Sequence, residues 1–152
     1  MKDFLSVIIK VASSSTFLTV ISGVLVFVLC QLFDEYWLKP IQQYKELRAK
    51  ISYSLTLYAN LYMNPVEYKL VNVREEIDNA SLELRKLAAE VDSVAELKPF
   101  GNFFIANKRT LRKVSENLIG LSNSLYSPHP EVAVLQNDSR RKEIYKLLSV
   151  KE

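Results

Sequence analysis

The chain contains few residues of the types that perform catalysis or hold a metal ion. His129 is its only histidine and Cys30 its only cysteine, so a catalytic triad or a multi-histidine metal site would depend on His129 alone. Pro128 and Pro130 flank that histidine, which is typical of a solvated loop. The single cysteine also excludes an intrachain disulfide, and the three glycines are too far apart to form a phosphate-binding loop. We therefore expect no enzyme, no metal site and no cofactor.

Two clusters of charge remain as candidates for chemistry or binding. Glu75, Glu76 and Asp78 could act as paired carboxylates, although carboxylates beside Arg74 more often form a solvated helix face. The C-terminal segment carries a basic cluster, Arg140, Arg141, Lys142 and Lys146, followed by Lys151. Such a cluster could contact anionic lipid headgroups or RNA phosphates. The alternative is a helix that is basic only for solubility. Lys108-Arg109 and Arg112-Lys113 form a similar run on the preceding predicted helix.

A long apolar segment near the N-terminus bears on the location of the protein in the cell. Residues 11–33 carry no formal charge, and about 20 apolar residues suffice to cross a bilayer as a helix. A secretory signal peptide would have a shorter apolar core and a small-residue cleavage site. A lipoprotein would require a small residue before Cys30, where this chain has Leu29. The segment predicts a single transmembrane helix.

Polar residues lie within that segment and, at Lys10, directly before it, and they suggest a second role for the segment. Lys10, Ser14, Thr16 and Ser22 are the candidate pore-lining residues, because polar side chains in a span tend to face a bundle interior or a water-filled cavity. Ser15, Thr19 and Ser22 share one helix face, and Gly23 permits close approach of a second helix. In the alternative, Lys10 extends to the interface and the hydroxyls bond to carbonyls of their own helix.

Basic residues near the ends of the span predict its orientation. Lys2 and Lys10 precede the span, whereas a larger group follows it: Lys39, Lys45, Arg48 and Lys50. This excess favours an inner (cytoplasmic) membrane protein with its N-terminus outside and its C-terminal domain in the cytoplasm. Tyr36 and Trp37 suit an interfacial aromatic belt.

The rest of the 152-residue chain has helical periodicity throughout, and its net charge of +3 is too small to indicate a nucleic-acid-binding domain. The strongest pattern steps by fours and threes and predicts a long helix that packs on other helices: Val66, Leu70, Val73, Ile77, Ala80, Leu84, Leu87, Val91 and Val94. A preceding helix runs from Pro40 to Asn64-Pro65, and a following one contains Leu111 to Leu125. A short C-terminal helix begins at Asp138, a good N-cap. The fold class is all-α, with a transmembrane anchor over residues 1–36 and a cytosolic helical bundle over residues 37–152.

Three segments carry a resemblance to known proteins: PIQQYKELRAKISYSLTLYANLYMNP, ELRKLAAEV and NLIGLSNSLY. They resemble a bacterial family of small single-pass membrane proteins with a cytosolic helical domain, whose members occur near mobile elements and defence genes. The layout is also similar to the membrane pore proteins that accompany one class of RNA-guided CRISPR nuclease. This resemblance implies assembly into rings and a role in antiviral (antiphage) defence. Related helical ribonucleases carry an arginine four to six residues before a histidine, and no arginine occupies residues 123–125 before His129.

Two functions from different classes follow. In the first, the protein is a homo-oligomeric membrane effector, in which the bundle senses or binds a partner and the spans form a pore or perturb the membrane. In the second, it is a non-enzymatic tether that recruits a soluble cytoplasmic protein. Nucleic acid is left open as a further partner through the basic cluster.

Overall fold

The computed structural model describes residues 14–64, 71–96, 104–127 and 130–149. Helices account for all the regular structure within these ranges, as the all-α prediction requires: α1 (Ser15–Phe33), a π-helical segment (Asp34–Leu38), α2 (Lys39–Leu57), α3 (Ala59–Met63), α4 (Val71–Glu96), α5 (Lys108–Ser124) and α6 (Pro130–Leu148). The long apolar N-terminal helix and the helical bundle behind it are thereby confirmed. Contacts divide the chain into two compact units, Met1–Lys39 and Pro40–Glu152, whereas the sequence suggested a boundary after residue 36.

In the first unit, α1 is exposed along its whole length and buries no residue. It belongs to a helix that is long and apolar enough to cross a membrane. Ser14 caps its N-terminus by accepting a hydrogen bond from the Phe17 N–H at 3.3 Å. After Phe33 the helix widens into the π-helical segment, where the Lys39 N–H donates to the Asp34 carbonyl. The Phe33 and Trp37 rings pack there with their centroids 5.3 Å apart.

The second unit is an up-and-down bundle of α2, α4, α5 and α6. Helices α4 and α5 are antiparallel, because Ser81 contacts Ser122 near one end and Glu96 contacts Lys108 near the other. Helices α5 and α6 are antiparallel as well, with Asn117 bonded to Glu143 and Arg140 bonded to the Gly120 carbonyl.

Helix α2 completes the bundle between α4 and α6. Lys50 forms an ion pair with Glu90 of α4 at 3.2 Å, and Arg48 donates to the Ser149 carbonyl at the end of α6 at 2.9 Å. The strongest apolar pattern of the sequence is buried as predicted at five of its positions: Ile77, Ala80, Leu84, Leu87 and Val91. Val73 and Val94 are partly buried, and Val66 and Leu70 lie outside the described residues.

The C-terminal helix is longer than the sequence suggested. It begins at Pro130, a residue favoured in a first helical turn, and Asp138 therefore lies inside the helix and is not its N-cap. The apolar side chains of its first turns do not all face the core, because Ala133 is buried while Leu135 is 78% exposed. A short helix from Asp138 was therefore a wrong prediction.

The predicted helix from Pro40 to Asn64 is interrupted at Tyr58. That residue leaves helical geometry at φ −95° and ψ 10° and separates α2 from α3. The buried Tyr62 hydroxyl donates to the Leu55 carbonyl at 2.5 Å, which satisfies an acceptor that the interruption would otherwise leave unbonded. Burial raises the pKa of Tyr62 to about 12, so this hydroxyl keeps its proton.

Candidate functional site: the exposed apolar helix and the C-terminal basic cluster

Several hydroxyls of α1 bond within their own helix, among them those of the candidate pore-lining residues Ser14 and Ser22. Thr19 Oγ1 donates to the Ser15 carbonyl and Ser22 Oγ to the Thr19 carbonyl, each at 2.9 Å. Ser14 is occupied as the N-cap. Lys10 lies outside the described residues. These bonds agree with the alternative in which hydroxyls serve their own backbone.

The candidate pore-lining residues do not share one helix face. Successive residues are rotated by about 100° around an α-helix, which places Ser14 and Thr16 on nearly opposite sides. Ser22 shares its face with Ser15 and Thr19 instead. The lining role of Ser14 and Thr16 remains a prediction, and the two residues could not line one lumen from the same side of α1.

A row of small residues occupies one side of α1. Ser15, Thr19 and Gly23 recur at every fourth position, a spacing that allows two helix backbones to approach closely in a membrane. A Cβ atom placed on Gly23 would have no described neighbour within 4 Å. Cys30 lies further along the same side and is exposed. Nothing within the described chain therefore covers this row.

The C-terminal basic cluster divides into residues with and without internal partners. Arg140 reaches across to α5, where Nη1 lies 3.3 Å from the Gly120 carbonyl oxygen and 3.4 Å from Asn137 Oδ1. Gly120 makes this approach possible, because a Cβ atom there would lie 2.6 Å from Arg140 Nε. Arg140 is thus a packing residue between α5 and α6.

Asp138 pairs with two other members of the cluster. Lys142 Nζ lies 2.6 Å from its carboxylate and Arg141 Nη2 3.6 Å away. The hydrogen bond from Lys142 lowers the pKa of Asp138, with the charges of Lys142 and Arg141 acting in the same direction. Lys146 is exposed and forms no ion pair with a described acidic residue. The cluster is therefore not one uniform cationic surface.

Buried polar side chains form a seam between α4 and α5 that was not predicted from the sequence. Ser81 Oγ and Ser122 Oγ lie 2.7 Å apart, and Arg85 Nε donates to Ser122 at 3.0 Å. Further along, Ser115 donates to Asp92 at 2.9 Å. The serines occupy apolar positions of each helix, which is the one signal that could have identified them. Their small side chains let the two helices pack closely while their hydroxyls remain bonded.

The acidic cluster does not form a site of convergent carboxylates. Glu75 and Glu76 are exposed on α4, and Asp78 accepts a hydrogen bond from the Tyr126 hydroxyl at 2.8 Å. Within the described ranges no group of three or more metal-ligating side chains converges. His129 lies outside those ranges. Comparisons of the chain with known protein families, with curated proteins and with solved structures gave no match.

Proposed function

We propose that the protein is an oligomeric, non-enzymatic membrane effector of a bacterial cell. In this proposal α1 anchors the chain in the inner membrane, with the N-terminus outside and the bundle in the cytoplasm. Copies of α1 associate and form a pore or otherwise perturb the membrane when the bundle engages its partner. The role in antiphage defence is part of the proposal through the resemblance of the sequence to defence-associated membrane proteins.

The uncovered row of small residues on α1 is the observation that carries the proposal. A helix that only anchors a domain needs an apolar surface, whereas Ser15, Thr19 and Gly23 present a shallow surface along one side. Lipid tails are as apolar as the side chains of a membrane helix, so the hydrophobic effect does not drive such helices together. Van der Waals packing between surfaces of this kind drives their association instead. Because the Thr19 and Ser22 hydroxyls are already bonded, the row suits direct contact between helices.

The mass of the full-length protein in mild detergent tests this proposal. We expect a defined oligomer by native mass spectrometry, and dissociation to monomers when Thr19→Leu and Gly23→Leu are combined. Val24→Leu with Val28→Leu is the control, because it also enlarges two side chains of α1 but away from the row of small residues. A monomeric wild-type protein in several detergents would refute the oligomer.

Pore formation requires a separate experiment once the oligomer is established. Liposomes that contain the wild-type protein should release a trapped dye. Lys10→Leu with Ser14→Leu should abolish this release if those residues line a lumen. Release that continues unchanged in the double variant would remove them from the lining.

A membrane tether is the second candidate function, and two exposed apolar side chains of α6 favour it. A single helix whose polar groups are satisfied can reside alone in lipid. The exposed apolar side chains Val132 and Leu135 of α6 would then form part of the surface that recruits a cytoplasmic protein. The tether predicts a monomer whose cellular activity survives the Thr19→Leu and Gly23→Leu changes but is lost with Leu135→Glu.

A further inference from the structure

The two ends of the bundle differ in charge. The proximal end, which contains Pro40 where the chain enters the bundle, comprises residues 40–51, 90–96, 104–116 and 141–149. It carries ten basic and six acidic residues. The distal end, which comprises residues 52–64, 71–89, 117–127 and 130–140, carries four basic and six acidic residues.

Contacts between the helices bring the proximal segments together. Burial raises the pKa of Tyr44, while the nearby backbone of Ala106 acts in the opposite direction, which places the start of α2 beside the segment before α5. Arg48 bonds to Ser149 at the end of α6. The excess of basic residues therefore belongs to one end of the folded bundle, although it is distributed over three helices and is not contiguous in sequence.

Four exposed basic residues of the proximal end have no acidic partner among the described residues. Lys45 of α2, Arg109 and Lys113 of α5 and Lys146 of α6 are all exposed, and none takes part in an ion pair with a described residue. Other basic residues nearby do form ion pairs. Lys108 and Arg112 share Glu96, and Lys50 pairs with Glu90. The unpaired residues thus present positive charge to the surroundings.

The stability of α5 does not explain its basic N-terminus. Lys108 and Arg109 open the helix, and its first turn contains no acidic residue. Positive charge at a helix N-terminus opposes the helix dipole, so this placement is unfavourable for the helix itself. Phe104, 74% exposed, lies just before the same helix start. Aromatic side chains of this kind are favoured at the membrane–water interface.

We propose that the proximal end of the bundle binds the anionic headgroups of the membrane that holds α1, through Lys45, Arg109, Lys113 and Lys146. The inference rests on the proposed membrane anchoring of α1. Because Pro40 follows Phe33 by only a few residues, the short connection holds the bundle at a high effective concentration beside the surface. Each basic residue near an anionic surface strengthens such binding by about fivefold.

Acylation of lysines in the full-length protein, reconstituted into lipid nanodiscs, tests this surface. The rate at each lysine is compared between phosphatidylcholine discs and discs in which phosphatidylglycerol replaces a third of the lipid. We expect roughly threefold slower acylation of Lys45, Lys113 and Lys146 in the anionic discs, reversed by high salt. Lys86, exposed on α4 at the distal end, should react equally in both discs and is the internal reference.

Two charge-matched variants sharpen the test. Arg109→Gln with Lys113→Gln should remove the protection of Lys45 and Lys146 in anionic discs. Gln136→Glu with Ser139→Glu lowers the net charge by the same amount at exposed distal positions of α6 and should preserve that protection. The comparison of lipids within the wild-type protein requires no variant to fold.

The outcomes separate this inference from the anchoring on which it rests. Protein that is absent from the discs would overturn the anchoring and the inference together. Protein that is incorporated but whose proximal lysines react equally in both discs would overturn the inference alone. Protection by added RNA in phosphatidylcholine discs, with no effect of anionic lipid, would also overturn it and assign the surface to nucleic acid.

Discussion

The side-chain amide of Asn137 donates to the backbone carbonyl of Tyr62, with Nδ2 and the oxygen 2.9 Å apart, and joins α6 to α3 inside the core. Asn137 is completely buried, and its Oδ1 faces Arg140, which in turn reaches the Gly120 carbonyl of α5. A single polar chain therefore connects three helices. A buried polar group is costly unless it is bonded, so this arrangement favours one alignment of α6 over shifted ones.

Replacement of Asn137 by alanine should destabilise the protein. The change leaves the buried Tyr62 carbonyl without its donor, which costs about 1–3 kcal/mol, and it also opens a small cavity. Denaturant unfolding of the full-length protein in detergent measures the loss. Gln136→Ala, a change at the exposed neighbouring position, should remain within about 0.5 kcal/mol of wild type. Equal stability of both variants would show that the Asn137 bond contributes nothing.

The two serines of the α4–α5 seam should act as a pair. Ser122→Ala removes the partner of Ser81 and of Arg85 Nε, and we expect a loss of about 1–2 kcal/mol. In a double-mutant cycle with Ser81→Ala, the coupling energy should be at least about 0.5 kcal/mol, since contacting residues are not additive. Ser93→Ala, at an exposed position of α4, is the control. Strict additivity of the Ser81 and Ser122 changes would contradict the seam.

The effect of Gly120→Ala should depend on Arg140. Alanine favours a helix interior over glycine by about 1 kcal/mol, but in the wild-type protein its Cβ would displace the Arg140 side chain. We expect little net change in wild type and a gain of about 1 kcal/mol in an Arg140→Ala background. Thermal unfolding of the four proteins provides the comparison. The same gain in both backgrounds would mean that the close approach to Arg140 has no energetic consequence.

The ion pairs of Glu96 and Asp138 predict a loss of stability in acid. A hydrogen bond from Lys108 lowers the pKa of Glu96 below its ordinary value of 4.5, and one from Lys142 lowers that of Asp138 below 3.8. Carboxylates with depressed pKa values bind protons more weakly in the folded state. Their contribution to the free energy of unfolding is therefore fully present above the ordinary pKa values. It is lost as the pH falls through the depressed pKa values of the folded state.

Glu96→Gln checks this pH dependence. The variant should unfold with a shallower decline in stability between about pH 5 and pH 3 than the wild-type protein. Glu75 is an exposed glutamate of the same helix that forms no ion pair with a described residue, so Glu75→Gln is the matched control and should follow the wild-type profile. Parallel pH profiles for wild type and Glu96→Gln would refute the assignment.

The sequence predicted the apolar part of the fold well and its polar part poorly. Leu84 and Val91 recur at helical spacing, and burial of such residues is decided mainly by that period. Asn137 and Ser122 occupy positions where the helical period calls for apolar residues, which indicates burial but does not identify the groups to which their polar atoms bond. Their partners belong to other helices, so only the assembled bundle shows that they are satisfied.

The interruption at Tyr58 has a similar origin. The apolar spacing continues from Leu55 through Tyr62 and therefore favours one uninterrupted helix. In the structure the helix is interrupted, and the hydrogen bond from the Tyr62 hydroxyl to the Leu55 carbonyl compensates for the interruption. A hydrogen bond between a side chain and the backbone does not show in the apolar spacing of the sequence. The candidate site residues divide in the same way. The ion pairs of Arg141 and Lys142 with Asp138 follow from helical spacing, whereas the contact of Arg140 with Gly120 does not.

Because Cys30 is the only cysteine in the chain and is exposed on α1, the natural sequence already accepts a spin label or fluorophore at one defined position. It lies on the side of α1 that carries Thr19 and Gly23, where a neighbouring copy would pack. Dipolar spectroscopy on the labelled protein would therefore report the spacing and number of subunits directly. No engineered thiol and no cysteine-free variant would be needed to test for assembly of the purified protein in liposomes.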